Sequence, residues 1–202
     1  MINENIDGVV LAAGFSSRIR AFKMELRLGE KSMLQRVIEA MQDFCPRVIV
    51  VAGFAGERVT RLTAGYTGVQ VVFNPDYAKG MFTSVKEGIK HVTAGWFFLT
   101  PGDYPLISKP VYRKLLEART GFINDHIFIP AVKGKKGHPI LVKSTLVPEL
   151  LGEPAESNLR QFIQRKGFVT IEVDDENILL DIDTGEDYRK ALEKSGGLSR
   201  VK

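Results

Sequence analysis

Two cations, two hydroxyls and a run of small residues share one short stretch of this chain, Leu11-Ala12-Ala13-Gly14-Phe15-Ser16-Ser17-Arg18, with Lys23 just beyond. Small residues after an apolar run let backbone N–H groups come close to a phosphate. Arg18 as a fork and Lys23 as a point charge could then neutralise a polyphosphate. The spacing is neither that of a Walker A loop nor that of a G-x-G-x-x-G turn, so those two phosphate sites are excluded. The same residues also fit a plain strand exit carrying surface cations, and their types alone leave both readings standing.

Further stretches hold residues suited to chemistry. In Pro101-Gly102-Asp103-Tyr104-Pro105 a carboxylate sits between glycine and proline. That suits a ligand for Mg²⁺, which takes a few carboxylates and fills its remaining sites with phosphates and water. An aspartate holding its own turn reads the same way. Asn74-Pro75-Asp76-Tyr77-Ala78-Lys79-Gly80 leads into Met81-Phe82-Thr83-Ser84. Gly80 falls at a helix start, where free N–H groups favour an anion or a polar base edge. Asn74 and Ser84 could hydrogen-bond a base or ribose; a turn and a sheet-facing serine are the plainer alternative. Asp181-Ile182-Asp183 places two carboxylates on one side of an extended chain, opposite Asp103 as a second metal contact. Thr184 or Asp183 then caps a helix. Gly137-His138-Pro139 follows the basic loop of Lys133, Lys135 and Lys136. His138 there is either structural or a ligand group, and the lysines either meet a phosphate or are solvated.

The elements that must position these residues alternate. Strands are expected at 6–12, 47–52, 69–73, 96–100, 127–129, 139–142, 169–173 and 178–181. Helices are expected at 31–44, 57–62, 81–92, 111–118, 145–151, 159–165 and 184–194, the first from its apolar spacing and the stop at Pro46, while Gly53 ends the strand at 47–52. Near-continuous apolarity in Val48-Ile49-Val50-Val51 indicates a strand covered on both faces, hence a parallel sheet. The plan is a three-layer α/β fold with a mostly parallel mixed sheet. In such sheets ligands bind beyond the carboxyl ends of the strands, which is where these motifs fall. One domain over 1–194 is expected, with a flexible tail at 195–202.

Composition bounds the partners. At 202 residues, 44% hydrophobic and 26% charged, the chain is that of a globular protein with a real core. A net charge of +4 is too small and scattered to argue for nucleic acid. Cys45 is the sole cysteine, so no internal disulfide forms and a reducing compartment fits. No apolar run reaches the length of a membrane span, and the start lacks a signal-peptide pattern, so the expected location is cytoplasmic.

Taken together, L-A-A-G-x-S-x-R-x-x-x-x-K, N-P-x-Y-x-x-G-M-x-x-S with Gly88 one turn on, Gly102-Asp103-Tyr104-Pro105, Gly137-His138-Pro139 and Asp181-Ile182-Asp183-Thr184 resemble the MobA-like NTP transferases. That family includes the cytidylyl- and guanylyltransferases of the molybdenum cofactor. The chain departs from the family pattern at Arg18-Ile19-Arg20, where a glycine is usual third, and at Gly185, where proline is usual. The resemblance runs from Leu11 to Asp187 and implies a GT-A-like, Rossmann-type fold and nucleotidyl transfer. It implies that Leu11, Ala12, Ala13, Gly14, Arg18, Lys23, Asn74, Gly80, Ser84 and Gly102 seat the nucleotide, and that Arg18, Lys23 and Asp103 are catalytic. Asp103 and Asp183 would hold Mg²⁺, and His138 would meet the acceptor. CTP is the expected donor and a molybdopterin-type phosphate the expected acceptor, with a molybdoenzyme receiving the product and neither nucleic acid nor membrane as partner. The rivals are a GTP-dependent enzyme, a sugar- or polyol-phosphate nucleotidyltransferase, and a nucleotide-binding regulatory protein with little turnover.

Overall fold

Strand β1, Ile6–Ala12, is buried along its whole length, as its apolar run requires. Its alternate side chains feed two separate cores. Val10 and Ala12 face one helical layer, and Val9 and Leu11 face the other. The computed structural model describes residues 6–15, 21–122 and 125–196.

A minimal hairpin of β2, Arg27–Leu28, and β3, Lys31–Ser32, precedes helix α1, Met33–Gln42. The sequence reading put Lys31 and Ser32 inside the helix. They lie outside it because Ser32 is the N-cap, joined to Gln35 in a reciprocal capping box. There follow β4, Arg47–Ala52; α2, Gly56–Thr63; β5, Val69–Phe73; α3, Met81–Ile89; and β6, Trp96–Pro101. Helix α4, Lys109–Gly121, carries proline in its first turn, where the missing N–H costs nothing. The second half holds β7, Ile127–Val132; β8, Lys135–Lys136; β9, Ile140–Lys143; α5, Val147–Gly152; α6, Leu159–Lys166; β10, Val169–Glu172; and α7, Gly185–Lys194. Residues 197–202 of the expected tail lie outside the described residues; Ser195 and Gly196 close α7 through backbone bonds to Ala191 and Glu193.

The main sheet runs β10-β7-β9-β6-β1-β4-β5, with β8 hydrogen-bonded to β7. Only β9 and β8 run antiparallel to their neighbours, so the mostly parallel mixed sheet expected from the sequence is the one found. Helices α1, α2 and α4 cover one face through Leu34, Ile38, Val59 and Leu115. Helices α3, α5 and α6 cover the other through Val85, Ile89, Leu150 and Phe162. Helix α7 packs with Leu28 and Met33 in a small third cluster.

One expected strand is absent. Residues 178–181 do not pair with the sheet; Glu176–Leu179 forms a 3-10 helix instead. Asp175 sets this turn by accepting from the N–H of Asn177 at 3.0 Å and of Ser108 at 2.9 Å. A short apolar run cannot reveal its own period, and here Ile178 is simply buried in the core.

Candidate active site

The carboxyl ends of β1, β4, β5 and β6 are tied together by backbone bonds that continue past the strands. Gly102 N–H donates to Leu11 O at 2.9 Å, Asn74 N–H to Ala52 O at 2.9 Å, and Phe54 N–H to Ala13 O at 3.3 Å. Gly53 permits this closeness, since a Cβ there would lie 2.7 Å from Tyr77 Cβ and 2.8 Å from Ala13 Cβ. Above the strand ends lies a cavity of about 430 Å³, in the size range of small-molecule sites. Ala13, Gly14 and Phe15 wall one side, and Gly80, Met81 and Ser84 another.

Three charged residues from distant parts of the chain converge on this cavity. Lys23 Nζ donates to Asp103 Oδ2 at 2.9 Å and to Asp183 Oδ1 at 2.6 Å. Lys23 begins a 3-10 helix, Lys23–Glu25, held by the buried flanking side chains of Phe22 and Met24 and by the Glu25–Arg58 ion pair. Asp103 stands one residue past the Gly102 bond to β1. The segment bearing Asp183 is laid beside it by the Ile182 N–H to Asp103 O bond, 3.1 Å. Burial would lower the Lys23 pKa, but the carboxylates of Asp103 and Asp183 outweigh it and the pKa is raised. The ammonium is therefore fixed in its charged form.

The donor set fits a divalent cation that shares its coordination with a bound polyphosphate. Asp103 Oδ1 is buried and takes no hydrogen bond within the protein. Among the described residues no group of three or more His, Cys, Asp and Glu side chains forms a cage for a metal. Two carboxylates completed by phosphate oxygens and water is the arrangement Mg²⁺ accepts, since it dehydrates reluctantly. Asp181 is not a partner in this arrangement. Its stretch is not a strand, so the expected alternation fails, and its side chain is exposed outside the cavity lining. It remains close enough that burial first, then the charges of Asp183 and Asp103, raise its pKa.

The loop between β5 and α3 is organised from within. Asn74, 2% exposed, donates to Thr83 Oγ1 at 2.8 Å and Ser84 Oγ at 2.9 Å, and accepts from Asp76 N–H at 2.9 Å. All its amide atoms are thus engaged within the chain, and it does not line the cavity, whereas Ser84 does. Gly80 takes φ 116° and ψ 167° at the α3 start, a backbone conformation that side chains oppose. The resulting turn puts the start of α3, with Gly80 and Met81, on the cavity that Gly14 also lines.

Of the other expected site residues, Leu11, Ala13, Gly14, Lys23, Gly80, Asp103 and Asp183 line the cavity, whereas Ala12, the last residue of β1, and Gly102, bonded to Leu11, do not. Arg18 lies outside the described residues. His138 is set back from the cavity, with its ring 4.8 Å from that of Tyr104, the neighbour of Asp103. Burial pushes its pKa down to about 4 against the opposing charge of Asp103, so its imidazole is neutral near pH 7. Its backbone N–H is bonded to Ile178 O at 3.0 Å. The basic loop turns away from the cavity. Lys133 pairs with Glu176 at 2.8 Å, and the Lys136 ammonium lies 4.4 Å from the Phe168 ring centroid.

Sequence reasoning missed the aromatic rim. Phe15 lies 5.2 Å from Phe54 and 5.3 Å from Tyr77 between ring centroids, and Phe15 and Phe54 are 49% and 55% exposed. Large apolar residues inside glycine- and proline-rich loops were the signal available, because loops after parallel strands converge at the ligand-binding edge.

Comparison with known proteins gives the family and the fold. A family model described as the MobA-like NTP transferase domain matches residues 8–170. The molybdenum cofactor cytidylyltransferase of Escherichia coli K12 is 34% identical, over 94% of this chain and 96% of its own length. A probable molybdenum cofactor guanylyltransferase of Bacillus cytotoxicus is 28% identical, over 94% and 97%. Among solved structures, a Mycobacterium tuberculosis H37Rv protein superposes with a TM-score of 0.79 at 26% identity, covering 94% of this chain and 98% of that one. By the matched model, the identity along nearly the full length and the shared fold, the chain belongs to the MobA-like NTP transferase family of nucleotidyltransferases.

Proposed function

We propose that the protein is a cytidylyltransferase that joins CMP from CTP to the phosphate of a molybdopterin-type acceptor and releases pyrophosphate. The observation that supports it most is the meeting of Lys23, Asp103 and Asp183 in a cavity walled by the Ala13-Gly14 turn and the α3 start. In the reaction an acceptor phosphate oxygen attacks the α-phosphorus, forming a new P–O–P linkage. The bond from the α-phosphorus to the bridging oxygen breaks, and its electron pair leaves with pyrophosphate.

A phosphate nucleophile at neutral pH needs no strong base, so the protein's part is positioning and charge stabilisation. The Ala13-Gly14 backbone and the α3 N–H groups receive the nucleotide. Lys23 and Arg18 bear on the triphosphate and on the charge that grows on the leaving pyrophosphate. Asp103 and Asp183 would hold Mg²⁺, which when bound neutralises phosphate oxygens and orients the leaving group. His138, neutral and packed on Tyr104, is set back from the cavity, so any part it has with the acceptor would be through Tyr104, the neighbour of Asp103.

CTP is favoured over GTP by two facts. The cytidylyl relative shares 34% identity against 28% for the guanylyl one. Gly137-His138-Pro139 also resembles a motif of the cytidylyl branch. The test is pyrophosphate release with CTP, GTP and ATP, each with Mg²⁺ and with and without molybdenum cofactor. Cofactor-dependent release that is fastest with CTP supports the assignment. Faster release with GTP moves the chain to the guanylyl branch, and release with other phosphorylated acceptors alone overturns the acceptor.

A further inference from the structure

The ammonium of Lys23 occupies the place between the two carboxylates that are to hold the divalent cation. Its contacts of 2.9 Å to Asp103 and 2.6 Å to Asp183 are short charge-assisted bonds, and its side chain is only 11% exposed. A Mg²⁺ ion needs oxygen ligands at about 2.0–2.1 Å. Asp103 Oδ2 and Asp183 Oδ1 are taken by the ammonium, so an ion that is to use these two oxygens must displace it, and one that uses Asp103 Oδ1 alone is held beside a like charge. Buried Phe22 and Met24 anchor the Lys23 turn on both sides, which leaves the flexible lysine stem as the part able to move.

We propose that Lys23 is a resident counter-ion of this site, which keeps the affinity of the nucleotide-free protein for divalent cations low until a triphosphate draws the ammonium onto its own oxygens. This rests on the reading of the cavity as a nucleotide site. The triphosphate then acts twice: it offers Lys23 new anionic partners and supplies the phosphate oxygens that a two-carboxylate site lacks. Cation and nucleotide load as one unit. By linkage, the factor by which nucleotide raises cation affinity is the factor by which cation raises nucleotide affinity. The consequence runs against the simple view of Lys23 as a phosphate ligand alone. Removing its charge should cripple triphosphate binding and yet improve metal binding by the empty protein.

The experiment uses the full-length protein without nucleotide and follows free Mn²⁺ by electron paramagnetic resonance. Lys23→Gln should bind one Mn²⁺ on the order of tenfold more tightly than the wild type, or better, because Asp103 and Asp183 lose the ammonium they share. Lys23→Gln with Asp103→Asn should lose that gain. Equal or weaker Mn²⁺ binding by Lys23→Gln would overturn the proposal. So would a gain that survives Asp103→Asn. Lys23→Met, which keeps the apolar stem, serves if the glutamine variant does not fold. A readout without substitution is the ¹⁵N resonance of the Lys23 ammonium in the wild type. It should stay put under millimolar Mg²⁺ alone and move when CTP is added with Mg²⁺; movement with Mg²⁺ alone refutes the counter-ion role. The Mn²⁺ measurements contain no nucleotide, so failure of CTP as donor would leave them intact and be seen separately in the pyrophosphate assay.

Discussion

Asp7 offers a way to separate the stability of this fold from its chemistry. It lies at the start of β1, opposite Arg47 at the start of β4 and so at the far end of the sheet from the cavity. Its carboxylate, 4% exposed as a residue, accepts from Arg47 Nη2 at 2.7 Å, Arg47 Nε at 3.1 Å, Thr93 N–H at 2.8 Å and Ala94 N–H at 3.0 Å. Asp7→Ala removes all of these acceptors. Breaking one partner from a buried ion pair costs about 3–5 kcal/mol, and each orphaned buried N–H about 1–3 kcal/mol. Arg47 is one-third exposed and keeps His91 O and Thr93 Oγ1, which offsets part of the loss. A net loss of about 3 kcal/mol follows, and at a urea slope of ~2 kcal/mol/M the midpoint should fall by ~1.5 M. The site should be untouched, so pyrophosphate release per folded molecule should match the wild type. A midpoint shift under ~0.5 M, or a fall in turnover at temperatures where the variant is folded, would refute the reasoning.

The pH dependence checks the same clamp. Burial raises the Asp7 pKa, but the Arg47 guanidinium and the Thr93 and Ala94 N–H groups outweigh it, and the result lies below the ordinary 3.8. A depressed carboxylate pKa means that the native state binds fewer protons than the unfolded chain. The contribution is therefore complete above pH 3.8 and is lost as the pH falls through the native pKa. The stability gap between wild type and Asp7→Ala should be constant near neutrality and narrow only below about pH 4.

Two further substitutions probe the site and its floor. Asp103→Asn keeps size and removes a charge, so kcat/KM for pyrophosphate release should fall by roughly 10²–10³ with the circular dichroism spectrum unchanged; normal Mg²⁺ dependence in this variant would place the ligand elsewhere. Gly88→Ala sets two effects against each other. Helix propensity favours alanine by about 1 kcal/mol, but a Cβ at this position of α3 would meet Val9 Cγ1 at 2.6 Å and Val51 Cγ2 at 2.8 Å. Overpacking costs about 1–3 kcal/mol, so the variant should melt lower than the wild type, and a rise in Tm would show that α3 can retreat from the sheet.

What the sequence determined by itself is the alternation of the first half. Runs such as Val9-Val10-Leu11, Val48-Ile49-Val50-Val51 and Phe97-Phe98-Leu99 are apolar on both faces, which a covered strand accommodates, and their exits carry Gly14 and Lys23, Gly53, and Gly102 and Asp103. Capping signals are local too: Thr184 or Asp183 as a cap marks the helix at 184–194, and in the structure Thr184 is that cap and closes a box with Asp187. Tertiary structure decided what depends on neighbours distant in the chain. Lys23, Asp103 and Asp183 are separated by 80 and 160 residues from the lysine, and nothing in their local sequence says that one ammonium sits between both carboxylates. Asn74 reads as a ligand group from its motif, yet the fold spends its amide on Thr83, Ser84 and Asp76, because a buried loop must satisfy its own polar groups. The stretch at 178–181 reads as a strand by composition. It became a 3-10 turn because Asp175 bonds Ser108 and Asn177, and the segment that follows lays Ile182 against Asp103 and brings Asp183 to Lys23. Periodicity reports which residues want to be buried; only the packed sheet fixes which buried or half-buried groups meet.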